Sequence, residues 1–304
     1  MKNEIIILLA TYNGSKYLKE QLDSICSQSY KNFEIIARDD GSSDNTLDIL
    51  KSYDVKTLET KQNLGAKGSF SVLLEYVVNN SDAEYFMFCD QDDIWEKDKV
   101  ENTFAKMKLM EKQYSKTPIL IHTDLKVVDE ELNTLSNSMW EYENINPKLN
   151  TLNRLLMQNT ITGCTVLINR KLAELALPVA SEAIMHDWWL GLVASSFGKI
   201  GFLNESTIKY RQHSSNDTGA KSYGIKYILN KLKNFNEISI EKNILQAKAF
   251  LENYREQIDS ETLEMLEEFS SMNERMFLEK RKILWKYKLL KQGFVRNIGL
   301  FVTI

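Results

Sequence analysis

The amino-acid sequence predicts an α/β fold with a mainly parallel sheet, followed by a helical C-terminal region. Over the first hundred residues, apolar runs of strand length alternate with amphipathic stretches, which is the pattern of βαβ units. Polar loops directly follow three of the predicted strands. From about Ser222 onward, long helical patterns continue without a catalytic motif.

The individual elements follow from the spacing of apolar residues. Ser43 or Asp44 is the expected N-cap of the second helix, because both side chains can accept a hydrogen bond from a first-turn N–H. The pattern predicts strands at 4–10, 33–39, 55–58 and 84–90, and helices at 16–27, 43–53 and 69–80.

Composition and charge narrow the class of protein. A chain of 304 residues with 43% hydrophobic and 26% charged residues is long enough for one large globular domain and an accessory region. A formal net charge of -4 argues against a nucleic-acid-binding role. Cys26, Cys89 and Cys164 lack CxxC spacing, so neither a zinc cage nor disulfides are predicted. The N-terminal apolar run is too short for a signal peptide or a membrane span, and a cytoplasmic location is expected.

Three polar loops are expected to meet at one edge of the sheet, since ligands of open α/β sheets bind beyond the carboxyl ends of the strands. Neither GxGxxG after the first strand nor GxxxxGK[ST] occurs in the sequence. A phosphorylated ligand would therefore need a divalent cation, and the aspartates of the third loop suit Mg²⁺ or Mn²⁺. The loops are TYNG (11–14), DDGSSDN (39–45) and DQDD (90–93).

Four ordered motifs, ATYNGSKYLKEQLDSICSQSY, ARDDGSSDNT, NLGAKGSF and FCDQDDIW, resemble the inverting glycosyltransferases of family 2. The likeness covers roughly residues 5–219 and implies the GT-A fold, a Rossmann-like mixed sheet. It implies a catalytic domain at 1–221, with a nucleotide-sugar-binding half at 1–100 and an acceptor-side half at 101–221. Residues 222–304 would then form the C-terminal helical region.

The resemblance also implies roles for individual residues. Asp40 would accept a hydrogen bond from the base, and Asp90 would meet the ribose or the metal. Asp92 would ligate Mn²⁺ or Mg²⁺ at the diphosphate, with His213 of YRQHSSNDTG as a third ligand. The other residues expected along the nucleotide sugar are Thr11, Tyr12, Asn13, Lys67, Gln91 and Arg211.

Plainer interpretations of these motifs remain open. The segment 39–45 could be a turn with a helix N-cap, and His213 could be a surface histidine. Arg211 could pair with a surface acid instead of the diphosphate. The polar segment 214–219 is suited to close over the donor as a lid. His122 and Asp124, which follow another strand, are second-tier candidates for the same cleft.

The stretch IMHDWWLGLVASSFG places Asp187 at the start of an apolar helix. The resemblance implies that Asp187 is the general base that deprotonates the acceptor hydroxyl, although an acid there also suits the helix dipole. A helix N-terminus is expected to lower the pKa of this carboxyl group. The residues expected at the sugar or acceptor are Gly163, Cys164, Trp188 and Trp189, and the two tryptophans could equally be core side chains.

The C-terminal region shows helical patterns at 223–235, 238–258 and 261–294. After Glu279 the chain has no further acid, while seven basic residues alternate with apolar and aromatic ones. This composition predicts contact with the anionic inner membrane surface; a homodimer through these helices, or simple packing on neighbouring helices, is the alternative.

The motifs CDQDDIW, HDWW and YRQH resemble the bacterial rhamnosyltransferase branch. That resemblance implies dTDP-L-rhamnose as donor and a polysaccharide or undecaprenyl-linked oligosaccharide of cell wall, capsule or O-antigen as acceptor. UDP-glucose, UDP-galactose and UDP-N-acetylhexosamine are alternative donors. A sugar nucleotidyltransferase would have a Gly- and Arg-rich loop after the first strand, which TYNGSKY does not provide. A non-catalytic nucleotide-binding module is the other alternative.

Overall fold

The computed structural model describes residues 4–214, 219–220 and 239–304. Its first half alternates strands and helices as the sequence predicts. The elements are β1 (Ile5–Thr11), α1 (Leu18–Cys26), β2 (Phe33–Asp39), α2 (Thr46–Ser52), β3 (Lys56–Glu59), α3 (Gly65–Asn80) and β4 (Tyr85–Cys89).

The second half adds shorter strands, the strand pair that closes the sheet, and the C-terminal helices. Up to the end of the sheet these are β5 (Ile94–Trp95), α4 (Lys99–Gln113), β6 (Ile119–Val128), β7 (Thr134–Ser136), α5 (Met139–Glu143), α6 (Leu152–Leu155), β8 (Leu167–Asn169), α7 (Arg170–Ala176), α8 (His186–Phe197) and β9 (Lys199–Arg211). The C-terminal helices are α9 (Glu241–Tyr254), α10 (Ser260–Ser270), α11 (Phe277–Lys286) and α12 (Phe294–Thr303).

Among the described residues, the strands form one mixed sheet in the order β3-β2-β1-β4-β8-β6-β9-β5, with β7 paired to β6. Strands β1 to β4 are parallel, β8 is antiparallel to both β4 and β6, and β6 is parallel to β9. The predicted α/β fold with a mixed sheet is confirmed. The parallel strands all end at the same edge, where their loops can share a ligand.

Strand β1 is buried on both faces because apolar side chains alternate between two cores. Ile6 and Leu8 belong to one apolar cluster, whereas Ile5, Ile7 and Leu9 belong to the other. Helices cover both faces, which explains why this strand is a continuous apolar run.

The C-terminal helices pack directly onto α8 and the neighbouring part of the α/β region. The ring of Phe250 in α9 lies 5.8 Å from that of Trp189 in α8, and the Tyr254 hydroxyl donates to the carbonyl of Leu175. One apolar cluster therefore runs from the sheet into the C-terminal helices. In the described part of the chain, no helix has both the length and the apolarity needed to cross a membrane.

The C-terminal region is helical as predicted, and the stretch 261–294 is divided among separate helices. Helix α10 ends at Ser270, and the buried side chain of Met272 lies in a 3-10 turn that separates α10 from α11. A second break follows α11, where Gly293 has a φ of 86° before α12 begins. Local helical periodicity continued through both breaks, but packing ended the helices. The helix predicted at 223–235, and the domain boundary at 221/222, lie outside the described residues.

Candidate active site

A cavity of about 580 Å³ lies at the carboxyl ends of β1, β2 and β4. The structure brings residues from both halves of the sequence to its wall. The predicted residues that line it are Thr11, Tyr12, Asp40, Asp90, Gln91, Asp92, Gly163, Asp187 and Trp188.

The loops after β1 and β4 are joined through one side chain. The amide of Gln91 accepts from the Tyr12 N–H at 2.9 Å and donates to the Tyr12 carbonyl at 3.0 Å. Asn13, with a φ of 47°, accepts from the Ser43 N–H, while its own N–H donates to Ser42. Asn adopts this left-handed conformation more readily than most residues. These bonds orient the loops, so Gln91 and Asn13 position the cavity wall.

The segment after β2 combines a turn with a cavity contact. Asp39 forms the turn: its carboxylate accepts from the N–H groups of Gly41 and Ser42 and from the Thr11 hydroxyl. Asp40 lines the cavity, forms an ion pair with Arg38, and accepts from the Leu64 N–H at 3.0 Å. The turn is therefore confirmed, and the N-cap expected at Ser43 or Asp44 is Asn45 instead, although the Asp44 carboxylate accepts from the Thr46 N–H. Contact of Asp40 with the base stays a prediction.

Asp92 and His213 meet across 121 residues of sequence. Asp92 Oδ2 lies 2.8 Å from His213 Nε2, and the His213 ring stacks on Tyr17 at 4.9 Å. Both side chains are mostly buried, which contradicts a surface role for His213. The carboxylate oxygens of Asp92 and the neighbouring Asp90 suit Mn²⁺ or Mg²⁺, and the imidazole nitrogen of His213 suits Mn²⁺ better than Mg²⁺.

Asp93 belongs to the same loop and is buried. No role was predicted for it from the sequence. Its carboxyl group is fully buried, and burial, followed by the charges of Asp92 and Asp90, raises its pKa well above the ordinary value. Asp93 Oδ1 accepts from the Arg211 N–H, and potential ligand atoms of Asp90, Asp93 and Cys164 lie within 4.8 Å of one another. The available signal was its place as the last acid of DQDD, directly before the apolar pair Ile94 and Trp95.

Cys164 lies in this buried layer, where its side chain is 1% exposed and packs in an apolar cluster. A sugar contact through its thiol is therefore a wrong prediction. Gly163, by contrast, lines the cavity, and a Cβ there would come within 3.0 Å of His186 Nε2. The backbone can approach this closely only without a side chain.

Arg211 holds the acidic loop through buried hydrogen bonds. Its guanidinium donates to the carbonyls of Asp92 and Glu130 and pairs with Glu20, and its side chain is 3% exposed. The predicted diphosphate contact is wrong in this structure, because the guanidinium is buried in these contacts. Lys67 does not line the cavity: its ammonium donates to the carbonyls of Ser181 and Ala183 ahead of α8.

Asp187 lies in the first turn of α8, and its Oδ1 accepts from the Trp188 N–H at 2.6 Å. Burial raises the pKa of Asp187 to about 7, although hydrogen bonds from Trp188, Asn159 and Gly163 act in the opposite direction. The expected lowering by the helix N-terminus is therefore wrong, because desolvation of the carboxylate outweighs the local dipoles. The group is suited to accept a proton near neutral pH.

The two tryptophans after Asp187 have different environments. Trp188 lines the cavity, and its indole N–H donates to the Leu155 carbonyl. Trp189 is fully buried, donates to the Ala176 carbonyl and packs on α9. A sugar contact is therefore wrong for Trp189 and stays a prediction for Trp188.

His186 is a second residue that sequence reasoning missed. It is 4% exposed, lines the cavity and packs between Phe70 and Phe88. Burial lowers its pKa to about 3, so the ring is neutral, and neither ring nitrogen has a hydrogen-bond partner among the described residues. Its position beside Asp187 in HDWW was the available signal.

The second-tier candidates do not line the cavity. His122 is fully buried against Trp140 and Phe202. The Asp124 carboxylate accepts from Ser138, Met139 and Trp140 at the start of α5. Asp124 thereby positions α5, whose Met139 and Glu143 contribute to the cavity wall.

Comparison with known proteins identifies the family. The sequence model of Glycosyl transferase family 2 matches residues 6–175, and the chain belongs to this family. The chain is 29% identical over 215 residues to an uncharacterized glycosyltransferase of Rickettsia typhi, covering 70% of this chain and 65% of that relative. It is 28% identical over 229 residues to the dTDP-rhamnosyl transferase RfbG of Shigella flexneri, covering 72% and 76%. The chain thus spans less than two thirds of the Rickettsia relative's length.

Solved structures share the fold. S. aureus TarS 1–349 in complex with UDP-GlcNAc superposes with a TM-score of 0.52 at 15% identity, covering 94% of this chain and 80% of that one. The mannosyltransferase PcManGT from Pyrobaculum calidifontis, in complex with GDP-Man and Mn²⁺, gives 0.53 at 12% identity, covering 100% and 79%. At these identities the likeness establishes the α/β architecture.

Proposed function

We propose that the protein is a metal-dependent, inverting glycosyltransferase that moves one sugar from a nucleotide donor to a polysaccharide or undecaprenyl-linked oligosaccharide. The observation that carries the proposal is the shared cavity: the acidic loop after β4 and the buried Asp187 of α8 line the same space. One group suits a metal-bound diphosphate and the other suits an acceptor hydroxyl. We place this activity at the cytoplasmic face of the membrane.

The donor half of the cavity would hold the nucleotide. Tyr12, 48% exposed, offers a ring face to the base, and Asp40 contributes a carboxylate beside it. Asp90, Asp92 and His213 would hold Mn²⁺ or Mg²⁺. When bound, that ion would offset the negative charge that builds up on the departing diphosphate.

Asp187 would act on the acceptor side. Its carboxylate accepts the hydroxyl proton as the acceptor oxygen forms a bond to the anomeric carbon, and the bond from that carbon to the diphosphate oxygen breaks with its electron pair. Attack from the face opposite the leaving group inverts the anomeric configuration. Asn159 and the Gly163 N–H hold the carboxylate in place. A positioned base contributes about 10²–10⁴-fold to the rate.

We propose dTDP-L-rhamnose as the donor. The likeness to RfbG supports this choice, and so does the apolar wall formed by Ile145, Ile161 and Ile184, which suits the C6 methyl group of a 6-deoxyhexose. A UDP-hexose or UDP-N-acetylhexosamine is the second candidate, favoured by the UDP-GlcNAc complex of TarS.

The test is nucleoside diphosphate release from a panel of nucleotide sugars, with and without Mn²⁺. Asp92→Ala is expected to abolish both metal-dependent donor binding and turnover, whereas Asp187→Asn is expected to retain donor binding and lose turnover. Full turnover by Asp187→Asn would contradict the base assignment. Nucleotide binding without turnover of any sugar would support the non-catalytic module.

A further inference from the structure

Exposed apolar side chains are concentrated on the C-terminal helices. Among the described residues, seven of the thirteen exposed large apolar side chains lie between Met276 and Val302. The other six are scattered from Tyr12 to Leu245. Single exposed apolar side chains are ordinary, whereas a cluster indicates a contact surface.

Five of these side chains form two adjacent stripes. Leu278 and Trp285 lie seven residues apart on α11, and Phe294, Ile298 and Val302 recur every four residues on α12. Such spacings place side chains on one face of a helix. Trp285 borders a shallow groove of about 380 Å³ that the α12 stripe also lines. We call these five residues the C-terminal apolar face.

The opposite sides of the same helices already serve the core. Ile283 and Leu284 of α11 and Leu300 of α12 are buried in the large apolar cluster. The C-terminal apolar face is therefore an additional apolar surface, with Trp285 76% exposed and Phe294 79% exposed.

The chain is basic after Glu279, which is the one acidic residue of α11. Residues 280–304 contain seven basic side chains and no acidic one. Lys282 is exposed between Leu278 and Trp285 on the same side of α11, and Lys288 is exposed just after that helix. Lys286, in contrast, pairs with Glu264 and Glu268 of α10. A symmetric contact between two copies would bring like charges together, whereas anionic lipid would neutralise them.

We propose that the C-terminal apolar face docks on an anionic lipid bilayer. Helices α11 and α12 have 10 residues each. They are therefore about 15 Å long, too short to cross a bilayer. They would lie in the interfacial plane, with Trp285 and Phe294 inserted among the acyl chains and the lysines at the headgroups.

The docking helices also hold one wall of the cavity. The Gln292 side chain accepts from the Asn146 N–H and donates to the Asn146 carbonyl, and Arg296 donates to the Glu143 carbonyl at 2.7 Å. Glu143 and Ile145 line the cavity. If the proposed function is correct, docking would bring this part of the cavity wall to the membrane that carries a lipid-linked acceptor.

The experiment is co-sedimentation of the full chain with phosphatidylcholine vesicles that contain or lack phosphatidylglycerol. We expect binding to the anionic vesicles that weakens with added salt. The double variant Trp285→Ser, Phe294→Ser should lower the partition coefficient at least about tenfold, because two large apolar side chains no longer enter the bilayer. The matched control Leu109→Ser, Leu135→Ser removes two exposed apolar side chains elsewhere and should bind as the wild type does.

Charge reversal provides a second test. Lys282→Glu, Lys288→Glu should weaken anionic vesicle binding, and Lys112→Glu, Lys171→Glu should weaken it less, because the latter lysines lie outside the face. Equal binding to neutral and anionic vesicles, or unchanged binding of the Trp285→Ser, Phe294→Ser variant, would overturn the proposal. A dimer in analytical ultracentrifugation that this variant dissociates would assign the face to a second copy.

The outcome is independent of the enzymatic proposal. A thermal shift by UDP or dTDP with Mn²⁺ reports on the nucleotide site and does not require lipid. Loss of vesicle binding with a retained thermal shift would overturn docking alone. Retained vesicle binding without a shift by any nucleotide would contradict the proposed function alone.

Discussion

Asp187 has a raised pKa because its buried carboxylate loses more hydration energy than the surrounding hydrogen bonds return. The same burial has opposite effects on catalysis and on stability. A base with a pKa near 7 can take up a proton under physiological conditions, but its charge is costly in the folded protein. Two predictions follow from this one residue.

The first concerns the pH dependence of activity. Only the deprotonated carboxylate can take the proton from the hydroxyl group of the acceptor. We therefore expect kcat/KM to fall about tenfold per pH unit below the Asp187 pKa of about 7 and to level off above it. The measurement is steady-state kinetics from acid to mildly alkaline pH. A flat profile across neutrality would contradict the role of Asp187 as base.

The second concerns stability. Between pH 3.8 and about 7 the unfolded carboxyl group has lost its proton while the folded group retains it, so rising pH destabilises the folded protein. Asp187→Asn does not titrate, so its stability relative to the wild type should rise by about 4 kcal/mol as pH rises through this window, at about 1.4 kcal/mol for each pKa unit. Urea unfolding at acid and neutral pH would measure this gain, and its absence would mean that the buried carboxylate is better solvated than the structure indicates.

His186 gives a third prediction at this scale. Two buried ring nitrogens without a partner among the described residues are costly unless a bound ligand or water satisfies them. Replacing His186 by Phe should therefore preserve or raise the melting temperature and raise KM for donor or acceptor. Unchanged kinetic constants would show that the ring contributes packing alone.

At the scale of elements, the acidic loop after β4 depends on the end of β9. Arg211, the last residue of β9, holds the Asp92 and Glu130 carbonyls and the Glu20 carboxylate with separate nitrogens. A lysine has one ammonium in place of the planar fork and cannot make all three contacts. The orientation of Asp92 therefore depends on a strand more than a hundred residues away.

Arg211→Lys should lower the Mn²⁺-dependent turnover rate by about tenfold or more, because Asp92 is no longer held in position. The variant should still fold in the absence of nucleotide. The measurement is the Mn²⁺ concentration for half-maximal activity. Arg255→Lys, at an exposed ion pair with Glu267, is the matched control and should change nothing. An Arg211→Lys enzyme with wild-type metal dependence would contradict the role assigned to this side chain.

At the scale of the whole molecule, the sheet and the C-terminal helices share one core. Phe250 is fully buried and contacts the rings of Trp189, Phe197 and Tyr254. Because the first two rings belong to α8, the helix that carries Asp187, the C-terminal helices stabilise the active site from behind. The α/β region and the C-terminal helices should therefore unfold together.

Phe250→Ala should lower the free energy of unfolding by about 3–5 kcal/mol, since it leaves a cavity between α8 and α9. Calorimetry should show one transition that shifts as a whole. Leu245→Ala, at a 46% exposed position of the same helix, is the control and should shift it little. Two separate transitions, with only one affected by Phe250→Ala, would contradict a shared core.

The sequence by itself determined the architecture and the location of the cavity. Alternating apolar and amphipathic segments specify βαβ units, and parallel strands necessarily deliver their following loops to one edge, so 11–14, 39–45 and 90–93 could be placed together without coordinates. Asp187 could likewise be assigned to the start of a helix, because an apolar helical segment directly follows it in the sequence.

Only the tertiary structure decided what each of these side chains faces. Whether Asp187 gains or loses affinity for its proton depends on burial by residues distant in sequence, and helix position alone predicted the wrong direction. The same holds for Arg211, Cys164 and Trp189, whose residue types suit a ligand contact but whose side chains are buried in long-range packing. Local sequence patterns specify the secondary structure and which residues share a face of each element. The desolvation of a side chain and its hydrogen-bond partners depend on contacts between distant segments, which no local pattern encodes.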